Sequence, residues 1–348
     1  MIRKVSVGDV VLGGGKIAVQ SMTTKKTSDV EASVAQILSL QNAGCDIVRV
    51  AIADEADARA LREITARVRV PIVADVHFSA KLAVLAVENG ADKLRINPGN
   101  IGKEAEIGRV ADCVKAHGIP VRVGSNTGSI EKEHLARYGR SARALVESAL
   151  QNVAVLERHG VRDIVISVKA SDVPLTVEAY TLLRGQCDYP LHLGVTEAGT
   201  HDMGIVKSSV GIGALLLSGI GETIRVSLSD DPVEEVYAGH AILRACGLES
   251  DYVEVVACPT CGRCRYDCIG LAARVQERVR TVQKKRKVAV MGCVVNGPGE
   301  ARGCDLGIAG GEEYCIIMQK GRADERVPAA DAERVFFARL EELISDEE

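Results

Sequence analysis

IVRVAI at 47–52, IVADVH at 72–77 and KLRIN at 93–97 are three short runs rich in β-branched and aliphatic residues. Between them lie segments such as 79–89, whose apolar residues recur at the three- and four-residue intervals of an amphipathic helix. Strands that are apolar along most of their length are buried on both faces, as in a parallel sheet covered by helices. Working outward, the same alternation predicts strands at 16–22, 121–126, 163–168, 191–197 and 223–229. With 47–52, 71–76 and 93–97 they make eight β–α units in the first 248 residues. Ser28 and Glu31 have the spacing of a capping box that opens the first helix, which ends at Gly44. Asp231 followed by Pro232 marks the start of the last helix, which runs to Cys246. This count and length predict an α/β fold, a (β/α)8 TIM barrel over residues 1–248. A doubly wound open sheet fits the same periodicity and is the alternative.

After Gly247 the pattern changes. A strand at 252–256 leads into a cysteine run and a helix over 271–282. The basic stretch 284–287 reads as a solvated helix end. A strand at 288–292, a glycine-rich loop, strands at 306–309 and 314–318 and a helix over 329–344 follow, with a frayed tail at 345–348. Residues 249–348 are thus predicted to form a second, small α+β domain. Hydrophobic residues make up 47% of the 348 and charged residues 26%, as in globular proteins. Lys and Arg number 43 against 47 Asp and Glu, so bulk charge does not draw the chain to a polyanion. Only 3% of residues are aromatic and none is Trp, which argues against base-stacking nucleic-acid modules. No apolar run reaches membrane length and residues 1–5 have no signal-peptide character. The expectation is a cytoplasmic protein without a membrane or nucleic-acid partner.

Polar residues interrupt the C-terminal halves of the predicted strands: Arg49; Asp75 and His77; Arg95 and Asn97; Arg122 and Asn126; Lys169; Glu197; Arg225 and Ser227. Barrel active sites are built at that end. Arg49, Arg95, Arg122, Lys169 and Arg225 would converge on one mouth, where five cations need an anion to offset repulsion and desolvation. A small ligand with two phosphate groups would balance them, and Arg suits phosphate by its forked donors. Gly211, Gly213, Gly219 and Gly221 lie where barrels often bind phosphate through backbone N–H groups. Singly, each residue also has an ordinary reading, such as Asp75 pairing with Arg95 or Arg49.

Seven of the 11 cysteines, Cys258, Cys261, Cys264, Cys268, Cys293, Cys304 and Cys315, fall within 58 residues. Cys258, Cys261, Cys264 and Cys268 have the spacing of a bacterial ferredoxin run, with Ile269 in place of the usual Pro. Thiolates at this density suit an Fe–S cluster or zinc. A structural zinc held by Cys258, Cys261 and two later cysteines is the alternative. The loop 296–299, NGPG, lets backbone approach a cluster closely, or is an ordinary turn.

ACPTC at 257–261, GCVVNGPGEA at 292–301, GVTEAG at 194–199 and IGETIRVSLSDDPVEEV at 220–236 resemble the 4-hydroxy-3-methylbut-2-enyl diphosphate synthase family, in its two-domain bacterial form. The resemblance runs from VQSMT at 19–23 to about residue 319. It implies a barrel shaped like dihydropteroate synthase and a sulfite-reductase-like domain with a [4Fe–4S] cluster. The cluster ligands would be Cys258, Cys261, Cys293 and Glu300, leaving Cys264 and Cys268 as spare thiols or a repair route and Cys304 either behind the ligands or in packing. The implied reaction is the two-electron ring opening and dehydration of 2-C-methyl-D-erythritol 2,4-cyclodiphosphate. Arg49, Asp75, His77, Arg95, Asn97, Arg122, Asn126, Lys169, Arg225 and Ser227 would surround this substrate. Glu197 would donate a proton or steady a cationic intermediate, and Glu300 would be an exchangeable oxygen ligand. The family also implies a head-to-tail homodimer and an external donor, flavodoxin or ferredoxin; no flavin or nicotinamide fingerprint is present. The competing enzyme reading is a phosphate-binding barrel transferase or lyase with a structural zinc domain. The competing non-enzyme reading is a zinc-ribbon interaction or RNA-binding protein.

Overall fold

Eight parallel strands alternate with helices through the first 248 residues of the computed structural model, which describes residues 2–128 and 130–346. An antiparallel hairpin comes first, β1 (Val5–Val7) and β2 (Val10–Leu12). The barrel strands are β3 (Ala18–Met22), β4 (Ile47–Ile52), β5 (Ile72–Val76), β6 (Lys93–Ile96), β7 (Val121–Asn126), β8 (Ile164–Lys169), β9 (His192–Leu193) and β10 (Thr223–Ile224). They pair in the order β8-β7-β6-β5-β4-β3-β10-β9, and a bridge between Ile166 and Leu191 joins β8 to β9. That bridge closes the sheet and excludes the open doubly wound alternative. The helices are α1 (Val30–Asn42), α2 (Glu55–Arg67), α3 (Ala80–Glu88), α4 (Pro98–Ile101), α5 (Glu104–His117), α6 (Lys132–Tyr138), α7 (Ala142–Arg158), α8 (Val173–Arg184), α9 (His201–Leu217) and α10 (Pro232–Ala245).

Side chains two apart on a strand share a face, so the barrel interior can be read in layers. At the N-terminal end Ala18, Ile47, Val73 and Val165 form an apolar floor, against which the hairpin packs Val5, Val7 and Leu12. Two residues further along come Gln20, Arg49, Asp75 and Ser167, and the interior turns polar. The hairpin plug escapes the β–α reading because its strands are short and precede the repeat.

Several boundaries differ from expectation for identifiable reasons. Asp29 caps α1, accepting from Ala32 N at 3.2 Å. The box expected at Ser28 and Glu31 does not form: the Ser28 N–H donates to Asp57 Oδ1 at 2.8 Å and Glu31 accepts from Arg67 instead. Strands expected at 191–197 and 223–229 shorten to two residues each, so Glu197, Arg225 and Ser227 lie on the loops beyond them. Gly211 and Gly213 lie inside α9, where their N–H groups serve the helix. Gly219 and Gly221 lead into the N-terminal end of β10, away from the strand ends that build the mouth. The expected phosphate role of these glycines is therefore not supported by their position. Gly211 instead admits Val195, whose Cγ2 would lie 2.9 Å from an added Cβ.

The chain divides into two compact units, Met1–Leu248 and Glu249–Glu348. The second has a five-stranded sheet in the order β11 (Val253–Ala257), β12 (Arg286–Met291), β13 (Leu306–Ala309), β14 (Tyr314–Gln319) and β15 (Glu325–Pro328). The first three strands run parallel and the last two antiparallel. Its helices are α11 (Cys268–Val279), α12 (Gly297–Glu300) and α13 (Ala329–Ser345). The helix expected over 271–282 thus begins three residues earlier, where Asp267 accepts from Gly270 N at 2.9 Å. The basic run enters β12 instead of ending a helix, and Lys287 pairs with Glu254 at 3.1 Å. β15, rich in charge and on the sheet edge, is unanticipated. Of the tail expected to fray, residues 347 and 348 lie outside the described residues, as does Met1 at the other end.

Candidate functional site

Asp75, near the end of β5, organises one side of the barrel mouth. Its Oδ1 accepts from Arg95 Nη1 at 3.0 Å and lies 3.4 Å from His77 Nε2, while Oδ2 lies 3.5 Å from Arg49 Nε. Burial works to raise this carboxyl, but Arg49, Arg95 and Arg122 outweigh it and hold it below the ordinary range. Burial lowers His77, with Arg95 and Arg49 acting the same way and Asp75 against them. Arg49 is pushed down to about 10, chiefly by burial.

On the opposite side Glu235, in the first turn of α10, accepts from Arg225 Nε at 3.2 Å and Nη2 at 3.1 Å, and from Ser21 Oγ at 2.8 Å. Glu235 was not anticipated. The signal was available in DDPVEEV, where Pro232 fixes the helix start and so sets which of two adjacent acids turns inward. Arg122 donates to Ser167 Oγ at 3.2 Å, and neither it nor Lys169 has an ion pair among the described residues. Both are buried and pushed strongly down by burial and neighbouring cations. A guanidinium stays protonated in proteins, so for Arg122 this is a desolvation penalty awaiting an anion. Gly194 makes room here: an added Cβ would meet Lys169 Nζ at 2.6 Å and Arg225 O at 2.7 Å.

Asn97 caps α4, its Oδ1 accepting from Gly99 N at 3.2 Å, so it has a structural task. Asn126 ends β7, and Ser227 lies half-buried on the loop after β10. Glu197 is exposed, with a left-handed backbone at φ 51°. Such a conformation costs a non-glycine residue about 1–3 kcal/mol and is concentrated at functional sites.

In the second unit β11 and β12 are adjacent and parallel, and Cys258 and Cys293 lie just past their C-terminal ends. Open α/β sheets bind ligands at such ends. Cys258, Cys261, Cys293 and Glu300 all line one cavity of about 200 Å³. Backbone N–H groups of Asn296 and Val295 lower the Cys293 thiol. An added Cβ at Gly292 would lie 2.9 Å from Cys264 Sγ and 3.6 Å from Cys258 Sγ, so glycine allows this approach. Cys268 is in the core, donating to Val290 O at 3.6 Å, and Cys304 packs with Met291 and Ala301. Among the described residues no three His, Cys, Asp or Glu side chains converge as a single metal ion requires.

Fold and site define a two-unit TIM-barrel protein with a cation-lined mouth and a cysteine-lined cavity. The GcpE TIM-barrel domain model matches residues 2–240 and the GcpE protein C-terminal domain model matches 254–342. The chain belongs to the GcpE family. It is 51% identical over 349 aligned positions to the 4-hydroxy-3-methylbut-2-en-1-yl diphosphate synthase (flavodoxin) of Caldanaerobacter subterraneus subsp. tengcongensis, covering 100% of this chain and 98% of that protein. It is 49% identical to the protein of the same name from Ruminiclostridium cellulolyticum, covering 98% and 97%. Among solved structures, a truncated 3-deoxy-D-arabino-heptulosonate 7-phosphate synthase from Thermotoga maritima has a TM-score of 0.53 at 16% identity, covering 71% of this chain and 94% of that one. Dihydropteroate synthase from Stenotrophomonas maltophilia has 0.50 at 18%, covering 70% and 97%. These two likenesses speak for the barrel fold alone.

Proposed function

We propose that this chain is a 4-hydroxy-3-methylbut-2-enyl diphosphate synthase, an oxidoreductase of isoprenoid biosynthesis in the cytoplasm. Its substrate would be 2-C-methyl-D-erythritol 2,4-cyclodiphosphate, which takes up two electrons and protons, opens its ring and loses water. The observation that carries the reading is the charge imbalance of the mouth: four guanidiniums and the amine of Lys169 meet two buried carboxylates, Asp75 and Glu235. A compact double phosphate offsets that excess. Relatives of this name at about half identity over nearly the whole chain support it. Their name also supports flavodoxin as electron donor, with ferredoxin the other choice.

Cys258, Cys261, Cys293 and Glu300 would hold a [4Fe–4S] cluster. Three soft thiols and a carboxylate spread around one cavity suit a multi-iron group better than a single zinc, whose donors must all lie about 2.3 Å from one ion. When bound, the cluster supplies the electrons. Arg122 and Lys169 bind phosphate oxygens, Asp75 orients Arg49 and Arg95, and Glu235 orients Arg225. The fixed cations steady negative charge as the C–O bond breaks. Glu197 delivers a proton to the departing oxygen or stabilises positive charge. The cluster unit of one chain would serve the barrel of a second copy in a head-to-tail homodimer.

Anaerobic preparation with iron and sulfide analysis, turnover of the cyclic diphosphate, and electron paramagnetic resonance with and without that compound test the reading. Expected are a coloured iron protein, turnover, and a reduced-state signal that changes with substrate. Iron-free protein with full turnover overturns the cluster, and zinc protein without turnover favours the transferase or lyase.

A further inference from the structure

Lys93 of β6 is wholly buried inside the barrel, two residues before Arg95 and on the same face. Among the described residues its Nζ has one hydrogen-bond partner, Gln20 Oε1, at 3.4 Å, and no carboxylate. Around it Gln20 Nε2 from β3 and Arg122 Nε from β7 are donors, and these two and His192 Nε2 from β9 are buried without partners among the described residues. Arg49 from β4 and Arg122 act on Lys93 as like charges, and His192 is itself lowered by burial, Lys169, Arg122 and Lys93. From β5, Asp75 is committed to Arg49, Arg95 and His77. A closed ammonium with one long hydrogen bond and cationic neighbours is the unfavourable form of lysine. Burial and these neighbours push it far down from its usual range.

We propose that Lys93 is a proton-linked positioning residue beneath the mouth: a neutral amine in the free protein, and an ammonium once a doubly phosphorylated ligand brings its negative charge above it. The inference rests on the mouth being an anion site. The proton comes from solvent, and the only bond formed is the new N–H. The free barrel thus carries one cation fewer, while the liganded barrel gains one where negative charge has arrived. Diphosphate binding therefore strengthens as pH falls through the range in which Lys93 titrates in the complex.

Nuclear magnetic resonance of protein carrying [13Cε]lysine tests this without turnover. Near neutral pH the free protein should show a Cε resonance at the amine position that is missing from Lys93→Met, which distinguishes it from Lys169. Lys93→Gln is the second variant should the thioether disturb packing. Adding the cyclic diphosphate, with inorganic pyrophosphate as a second probe, should move that resonance to the ammonium position. Calorimetry in buffers of different ionisation enthalpy should show the variant taking up a proton fewer per barrel than the parent. A Lys93 resonance at the ammonium position in the free protein overturns the proposal, as does a bound ligand that leaves it at the amine position. Failure of both probes to bind would instead overturn the reading of the mouth, and the free-protein resonance still decides the resting state of Lys93.

Discussion

In the barrel, Asp75 lies between Arg49 and Arg95, and Glu235 holds Arg225 by two nitrogens, all on the ends of packed elements. In the second unit, Cys261 and Glu300 are exposed and Thr260 between the cysteines has a left-handed backbone at φ 63°. The mouth is ordered by the protein's own ion pairs over a large apolar core, so its charges are positioned before any ligand arrives. The cysteine loop has room and donors but few internal bonds, so on the proposed reading its order would depend more on the cluster it holds. Preorganised electrostatics and ligand-organised coordination are different answers to the same desolvation problem.

The largest effects should separate the two regions. Arg122→Ala and Cys258→Ser should each lower turnover about a thousand-fold or more, the first retaining iron and the second losing it. Co-expressed, they should recover about a quarter of parental turnover if each barrel is served by the other chain, since half the dimers are then mixed with one intact site. No recovery would place barrel and cluster donors of one chain together. Asp75→Asn should cost about 3 kcal/mol of barrel stability by calorimetry, because it strips buried cations of their counterion, and should leave iron content unchanged.

Lys93 sharpens the contrast through pH. Its amine is held neutral in the folded state but protonates in the unfolded chain below about pH 10, so the unfolded state binds the extra proton. Stability should therefore fall with decreasing pH by about 1.4 kcal/mol per unit from this residue alone, until the depressed folded value is reached. Lys93→Met lacks that contribution, and its advantage in melting temperature should widen from about pH 9 to about pH 7. A constant gap would show the ammonium to be the folded form. The smallest effect is at Glu197. Replacement by Gly should gain about 1 kcal/mol by relieving the left-handed backbone while turnover drops. A Glu197→Gln protein with its iron and full turnover would remove the acid from the mechanism.

The linear chain determined the number and order of β–α units, because buried parallel strands and their covering helices have distinct periods. It also determined the polar breaks that place Asp75, Arg95 and Lys169 near the C-terminal strand ends, with Arg49 inside β4 and Arg122 near the start of β7, and the spacing of Cys258, Cys261, Cys293 and Glu300. Tertiary structure decided the rest. Barrel closure depends on β10 meeting β3 from the far end of the barrel sequence, Thr223 and Ile224 opposite Ala18 and Val19. Glu235, Gln20 and His192 acquire meaning only from the strands opposite them. Gly211 and Gly219, alike in sequence, fall in a helix and at the far end of the barrel. The burial that makes Lys93 unusual comes from strands scattered over more than 170 residues (Gln20 to His192). Local propensity and periodicity act over a few residues, whereas counterion choice, desolvation and close packing are set by what the closed sheet brings together.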